Sequence, residues 1–157
     1  MILQNEIILT TPILGCRVSE GRPRVLVRHT NGEPGLIQEM WHDSMRRAAS
    51  DLGIKYDQQA LILPMYFSAT KFEEYLRVYN KTHKERFESI PKGAVVKFEL
   101  HLMEDKLDPS SYGKLLSLVG KYYGMSQWGN KFGYGRFEVQ FIKRQRADVS
   151  LDFPIDI

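Results

Sequence analysis

Apolar and polar positions alternate most clearly over residues 94–103, where Val96, Phe98, Leu100 and Leu102 are separated by Lys97, Glu99 and His101. A period of two places one face of a strand in a core and the other in water. Residues 136–143 repeat the pattern, with Phe137, Val139 and Phe141 expected inward and Arg136, Glu138 and Gln140 outward. Residues 7–9 and 24–29 are shorter β-like runs. Residues 60–67 form a continuous apolar run, which Pro64 confines to a bend or a sheet edge.

Helical spacing appears where Ile37, Trp41, Met45, Ala48 and Leu52 recur, and Gly53 is placed to stop that helix. Thr70 and Glu73 have the spacing of a capping box, predicting a second helix with Phe72, Tyr75, Leu76 and Tyr79 on its buried side. Residues 80–92 are polar and basic and read as a loop with a short helical piece. Asp108-Pro109 supplies an N-cap and a first-turn proline. The helix that follows carries Tyr112, Leu115, Leu116, Val119 and Tyr122 on one side and ends near Gly124.

This succession predicts an α+β fold in which helices cover one face of a sheet. The ferredoxin-like βαββαβ arrangement is its best single candidate. Such a sheet leaves a polar face available to a ligand. No repeat or low-complexity tract interrupts the chain, so residues 1–146 read as a single domain and residues 147–157 as an acidic and apolar tail.

A chain of 157 residues can bury a full core. Its net charge of +3 is mild, but the distribution is uneven. Lys121, Lys131, Arg136, Lys143, Arg144 and Arg146 are opposed in their stretch by Glu138 alone, after which Asp148, Asp152 and Asp156 reverse the sign. Cys16 is the only cysteine, which excludes an intrachain disulfide and a cysteine-built zinc site. The start lacks the basic and apolar regions of a secretory signal, and no stretch has the length of a membrane span. The expectation is a cytoplasmic protein that does not engage a membrane.

Candidate chemistry concentrates in residues 120–139, GKYYGMSQWGNKFGYGRFEV, where glycines, aromatics and cations interleave. Single-stranded nucleic acid needs aromatic faces for its bases and cations for its phosphates. On this reading Trp128, Tyr134 and Tyr123 stack on bases. Lys121, Lys131, Arg136, Lys143 and Arg144 contact phosphates, and Gly133 and Gly135 let the backbone approach closely. The alternative for the same residues is a connection between helix and strand whose aromatics fill the core, and spacing does not choose between the two.

Other chemistry finds little support. His29, His42, His83 and His101 are dispersed, without metal-ligand spacing, and His42 reads as a surface or boundary residue of its helix. Cys16 reads as an inert thiol. Gly133-Tyr134-Gly135 precedes a strand and lacks the lysine and helix of a phosphate-binding loop. The expectation is a protein that is not an enzyme and holds neither metal nor cofactor.

Four segments carry a resemblance. Residues 120–139, the turn Thr11-Pro12-Ile13-Leu14-Gly15 and the helical stretch Met45-Arg46-Arg47-Ala48-Ala49 resemble a group of uncharacterised phage and prophage proteins. The glycine-rich turn before the last strand more distantly resembles the Cas7 and Cas6 superfamily of ferredoxin-like RNA-binding proteins. That resemblance implies a backbone-approaching role for Gly133, Gly135 and Arg136. Asp152-Phe153-Pro154-Ile155-Asp156-Ile157 resembles the acidic, apolar-tipped end of single-stranded DNA-binding proteins, which implies that Asp152, Phe153, Ile155, Asp156 and Ile157 dock partner proteins of replication or defence. A terminal strand with ordinary surface aspartates is the other reading of that end. Together these features favour a phage-type protein binding single-stranded DNA or RNA with little sequence preference. The runner-up is a non-enzymatic interaction module that forms homo-oligomers or inhibits a host defence complex.

Overall fold

A computed structural model describes residues 1–15, 26, 28, 35, 38–62, 68–69, 73–78, 84–127 and 129–144. The chain opens with β1 (Ile2–Leu9), which buries Leu3, Ile7 and Leu9, and continues into the short β2 (Ile13–Leu14). Helix α1 (Gln38–Leu52) buries Trp41, Met45, Ala48 and Ala49. It ends as its spacing predicts: Gly53 N–H donates to Ser50 O at 3.3 Å and Ile54 N–H to Ala49 O at 2.9 Å, the paired bonds that close a helix C-terminus. A short turn at Gln58–Ala60 leads to β3 (Leu61–Ile62), then β4 (Ser68–Ala69), β5 (Glu73–Val78), β6 (Lys84–Ile90) and β7 (Val95–Leu102). Helix α2 (Pro109–Leu118) and β8 (Phe137–Arg144) complete the described elements.

The main sheet runs β3–β7–β1–β8 with every neighbour antiparallel, and β4 also pairs with β7. A second sheet runs β2–β6–β5. Both helices lie on one face of the main sheet. Trp41 of α1 meets Phe98 edge-on at 5.3 Å between ring centroids. Asn5, the register partner of Phe98, accepts from the Tyr112 hydroxyl of α2 at 2.8 Å. The Asn5 amide nitrogen in turn donates to Leu3 O at 3.2 Å and Phe98 O at 3.3 Å, so this buried polar group is satisfied. Ile7, Leu102, Leu115 and Leu116 are wholly buried between the layers; each contributes roughly 1.5–3 kcal/mol.

Several expectations give way to the structure. The helix opened by Thr70 is instead β5, and the loop over residues 80–92 contains β6. The two pair from Glu73 with Ser89 to Val78 with Lys84, and cross-strand pairing overrides a local capping signal. Phe141 does not face the core. A bulge between Glu6 and Ile7 sets Ile7 opposite Val139 but Glu6 opposite Phe141, so the inward set switches from Phe137 and Val139 to Ile142. Tyr122 leaves the buried stripe of α2 because the chain widens into a π-turn, Val119–Tyr123, closed by Gly124 N–H donating to Val119 O at 2.6 Å. His42 is buried rather than on the surface.

The N-cap expected for the helix after Asp108 is present. Asp108 caps α2, its Oδ1 accepting from Ser111 N–H at 2.8 Å, and that bond holds its carboxyl below the usual range. Leu26, from the predicted run at residues 24–29, is buried, and its N–H donates to Glu88 Oε1 at 2.9 Å. Most of that run, most of the run at residues 60–67, and the tail at 147–157 lie outside the described residues.

Candidate nucleic-acid interface

The connection between α2 and β8 is a tied loop. Gly135, at φ +75°, lies so close to the chain before it that a Cβ would come 2.1 Å from Ser126 N. Its N–H donates to Pro12 O at 2.7 Å, and Met125 N–H donates to Gly135 O at 3.0 Å. Thr11 clamps the same segment, its hydroxyl donating to Gly133 O at 2.7 Å and accepting from Arg136 N–H at 2.9 Å. Asn130 Oδ1 accepts from Ser126 N–H at 2.7 Å, and on the other side Ser44 Oγ of α1 donates to Gly124 O at 2.9 Å. The turn at residues 11–15, helix α1 and the glycine-aromatic segment therefore form one packed unit.

Between them lies a cleft of ≈ 770 Å³. Helix α1 contributes Met40, Asp43, Ser44 and Arg47, the π-turn contributes Tyr122 and Tyr123, and the loop contributes Lys131, Phe132 and Arg136 among others. Tyr122 and Phe132 expose about half of their surface, 50% and 49%. Each ring lies under the lysine that precedes it. Lys121 Nζ is 5.2 Å from the Tyr122 centroid and Lys131 Nζ is 5.2 Å from that of Phe132, within cation–π range. Asp43 Oδ2 accepts from Arg47 Nε at 3.1 Å. The Arg136 Nη1 donates to Lys121 O at 2.8 Å, bracing the loop against the π-turn.

The structure sorts the sequence candidates. Lys131, Arg136 and Tyr123 line the cleft, and Lys121 stands at its rim over Tyr122. The Tyr123 hydroxyl donates to Asp51, and that bond raises its pKa above the ordinary value. Tyr134 packs its ring on Gly129, where a Cβ would lie 2.9 Å from Tyr134 Cδ2. Gly133 at φ +91° opens to space, with nothing within 4 Å of a built Cβ, whereas Gly135 is consumed by internal packing. Lys143 and Arg144 lie at the far end of β8, about 25 Å along an extended strand from Arg136. Lys143 faces outward with its ammonium 4.6 Å from the Phe141 centroid. Trp128 and the tail residues 152–157 lie outside the described residues.

Tyr122, Phe132 and Arg47 line the cleft but are not among the sequence candidates. The doublets Lys121-Tyr122 and Lys131-Phe132 were a usable signal, since each sets a cation beside an aromatic next to a glycine-rich turn. Among the described residues, no three His, Cys, Asp or Glu side chains gather as a metal group. No helix among them is long and apolar enough to cross a membrane.

By its fold the chain belongs with α+β proteins built on an antiparallel sheet. It is similar to a chain in the cryo-EM structure of the type III-B Cmr-beta bound to cognate target RNA, with a TM-score of 0.60 at 14% identity. The match covers 90% of this chain and 59% of that one. No family model matches the sequence, and no curated protein matches it.

Proposed function

We propose that the protein binds single-stranded nucleic acid, RNA or DNA, in the cleft between α1 and the glycine-aromatic loop. The observation that carries this reading is the pair of half-exposed rings, Tyr122 and Phe132, each set beneath a lysine at the lip of a cleft that also presents Arg47 and Arg136. Bases stack on the rings and phosphates pair with Lys121, Lys131 and Arg47. The likeness supports the reading through the fold, because it is to a chain of a structure in which Cmr-beta is bound to cognate target RNA. The strand order β3–β7–β1–β8, with α1 between β1 and β3 and α2 between β7 and β8, supports the ferredoxin-like assignment.

A phage-type origin is part of the proposal and rests on the resemblance of residues 120–139, 11–15 and 45–49 to phage proteins. Low sequence preference fits the amides near the cleft. Asn130 Oδ1 is taken by Ser126 N–H, and Gln127 Nε2 donates to Gly35 O at 3.0 Å, so both are engaged in holding the loop. Binding without catalysis fits the same picture, as Asp43, the carboxylate lining the cleft, is engaged by Arg47.

Fluorescence anisotropy with labelled single-stranded RNA and DNA at low salt tests the reading. Stacking contributes roughly 1–3 kcal/mol per base, so Tyr122→Ala and Phe132→Ala should each weaken binding about tenfold, the equivalent of 1.4 kcal/mol. No binding, or binding indifferent to the double substitution, would sink it. The second reading is self-association through the same exposed tyrosine and phenylalanine, residue types that suit a protein interface. A concentration-dependent mass without oligonucleotide that Tyr122→Ala and Phe132→Ala abolish would favour it.

A further inference from the structure

Two shallower grooves follow the cleft around the exposed side of α2. The first is lined by Leu52, Gly113, Lys114, Ser117, Leu118 and Lys121. The second, at the start of α2, is lined by Met1, Leu3, Pro109, Ser110, Ile142 and Arg144. Lys121 joins the cleft to the first groove, since it lines the groove and its ammonium stands over the ring of Tyr122, which lines the cleft. Gly113 joins the first groove to the second, because a Cβ built on it would lie 3.8 Å from Cδ1 of Ile142. An alanine would fit there and favour the helix by about 1 kcal/mol, so packing does not demand a glycine. What the missing side chain leaves is a trough across the helix surface. The two linings carry Lys114, Lys121 and Arg144 and no carboxylate.

From this continuity and charge we infer that the grooves form a second segment of the nucleic-acid track, carrying the strand from the cleft over Lys121 and along α2 to Arg144. The inference rests on the proposed function and adds to it a footprint longer than the cleft, with Lys114 as a phosphate contact. It also gives Arg144 a place on the track despite its distance from Arg136. The contacts are to the backbone, because aliphatic, hydroxyl and cationic groups line the grooves without an aromatic ring.

The test compares oligothymidylates and oligouridylates of increasing length by anisotropy across salt. Each phosphate contact on a single strand adds about 0.7 to the slope of log affinity against log salt. The slope should therefore rise once the oligonucleotide is long enough to leave the cleft. Lys114→Glu and Arg144→Glu should remove that rise while leaving the shortest oligonucleotides bound as before. Gly113→Glu, which fills the trough and reverses its charge, should do the same. Lys97→Glu on the sheet's outer face makes an equal change in net charge and should leave the rise intact. Equal slopes at all lengths, or equal losses from Lys97→Glu and Lys114→Glu, would overturn the track while leaving the cleft standing. Loss of binding by short and long oligonucleotides alike in Tyr122→Ala with Phe132→Ala reads out the cleft separately.

Discussion

The outer face of the main sheet and the cleft beside α1 are both wet and both charged, yet their charges are arranged in opposite ways. On the sheet, Lys97 Nζ lies 3.6 Å from Glu6 Oε1 and the Gln4 amide donates to Glu99 Oε2 at 3.4 Å, while Glu138, His101 and Lys143 complete a surface of alternating sign. Exposed pairs of this kind add little stability, and Lys97 and Lys143 set against Glu6, Glu99 and Glu138 leave no excess of positive charge to attract a polyanion. In the cleft, Arg47, Lys131 and Arg136 face Asp43 alone among the lining residues, and aromatic rings stand beside the cations. A strand's polar alternation therefore announces a wet face. Whether that face recruits a ligand depends on which charges its neighbours bring across from it.

The largest expected effect breaks the cleft at its root. Gly135→Ala would force a Cβ to within 2.1 Å of Ser126 N and 2.8 Å of Met125 N at φ +75°. It should cost roughly 3 kcal/mol or more of stability, read as a fall in unfolding midpoint together with loss of oligonucleotide binding. Gly133→Ala meets nothing within 4 Å and suffers only its backbone strain at φ +91°, about 1–2 kcal/mol. Equal losses from the two would mean that the loop is not held by the contacts to Met125 and Ser126.

A smaller effect separates the two surfaces directly. Arg47→Ala and Lys131→Ala should each flatten the salt dependence of single-strand binding by about 0.7 in slope. Lys97→Ala, which removes the same charge from the sheet face, should leave the slope where it was. If Lys97→Ala flattens it as much, binding follows net charge and the cleft has no special place. The same titrations on Tyr134→Phe should show little change, because that ring packs on Gly129 and does not line the cleft.

Much of this contrast was legible in the sequence, and the part that was not has physical causes. The alternation in residues 94–103, the caps at Asp108 and Gly53, and the concentration of glycines and aromatics before the last strand are local signals, and they survive in the fold. The hairpin of β5 and β6 was hidden because Thr70 and Glu73 imitate a helix start, whereas the strands depend on partners far along the chain, such as Ile13 opposite Ile90. Tyr122 and Phe141 were assigned to the core because a regular period was carried through a π-turn and a bulge, each of which shifts the register by a residue. Both irregularities moved an aromatic ring to the surface beside a lysine. The convergence of Thr11, Ser44 and Arg136 on one loop is a matter of tertiary structure that no single segment encodes.

The smallest effect concerns the buried side of α1, behind the cleft. His42 Nδ1 lies 2.7 Å from the Tyr56 hydroxyl, and burial followed by the Arg46 charge lowers the histidine's pKa below its ordinary 6.5. Burial likewise holds the Tyr56 hydroxyl well above its usual value. A histidine that is harder to protonate when folded stabilises the protein fully above the unfolded value of about 6.5. That contribution is lost as pH falls from there towards the folded pKa, because the unfolded chain then binds the extra proton. Unfolding midpoints should therefore drop as pH is lowered below about 6.5, and His42→Gln, which keeps a polar side chain but cannot titrate, should flatten that part of the curve. Binding titrated over the same range should change little while the protein remains folded, because Tyr122, Phe132 and Lys131 stand on the opposite wall. A binding curve that tracks the His42 transition would show that α1 and the loop do not behave as separate walls of the cleft.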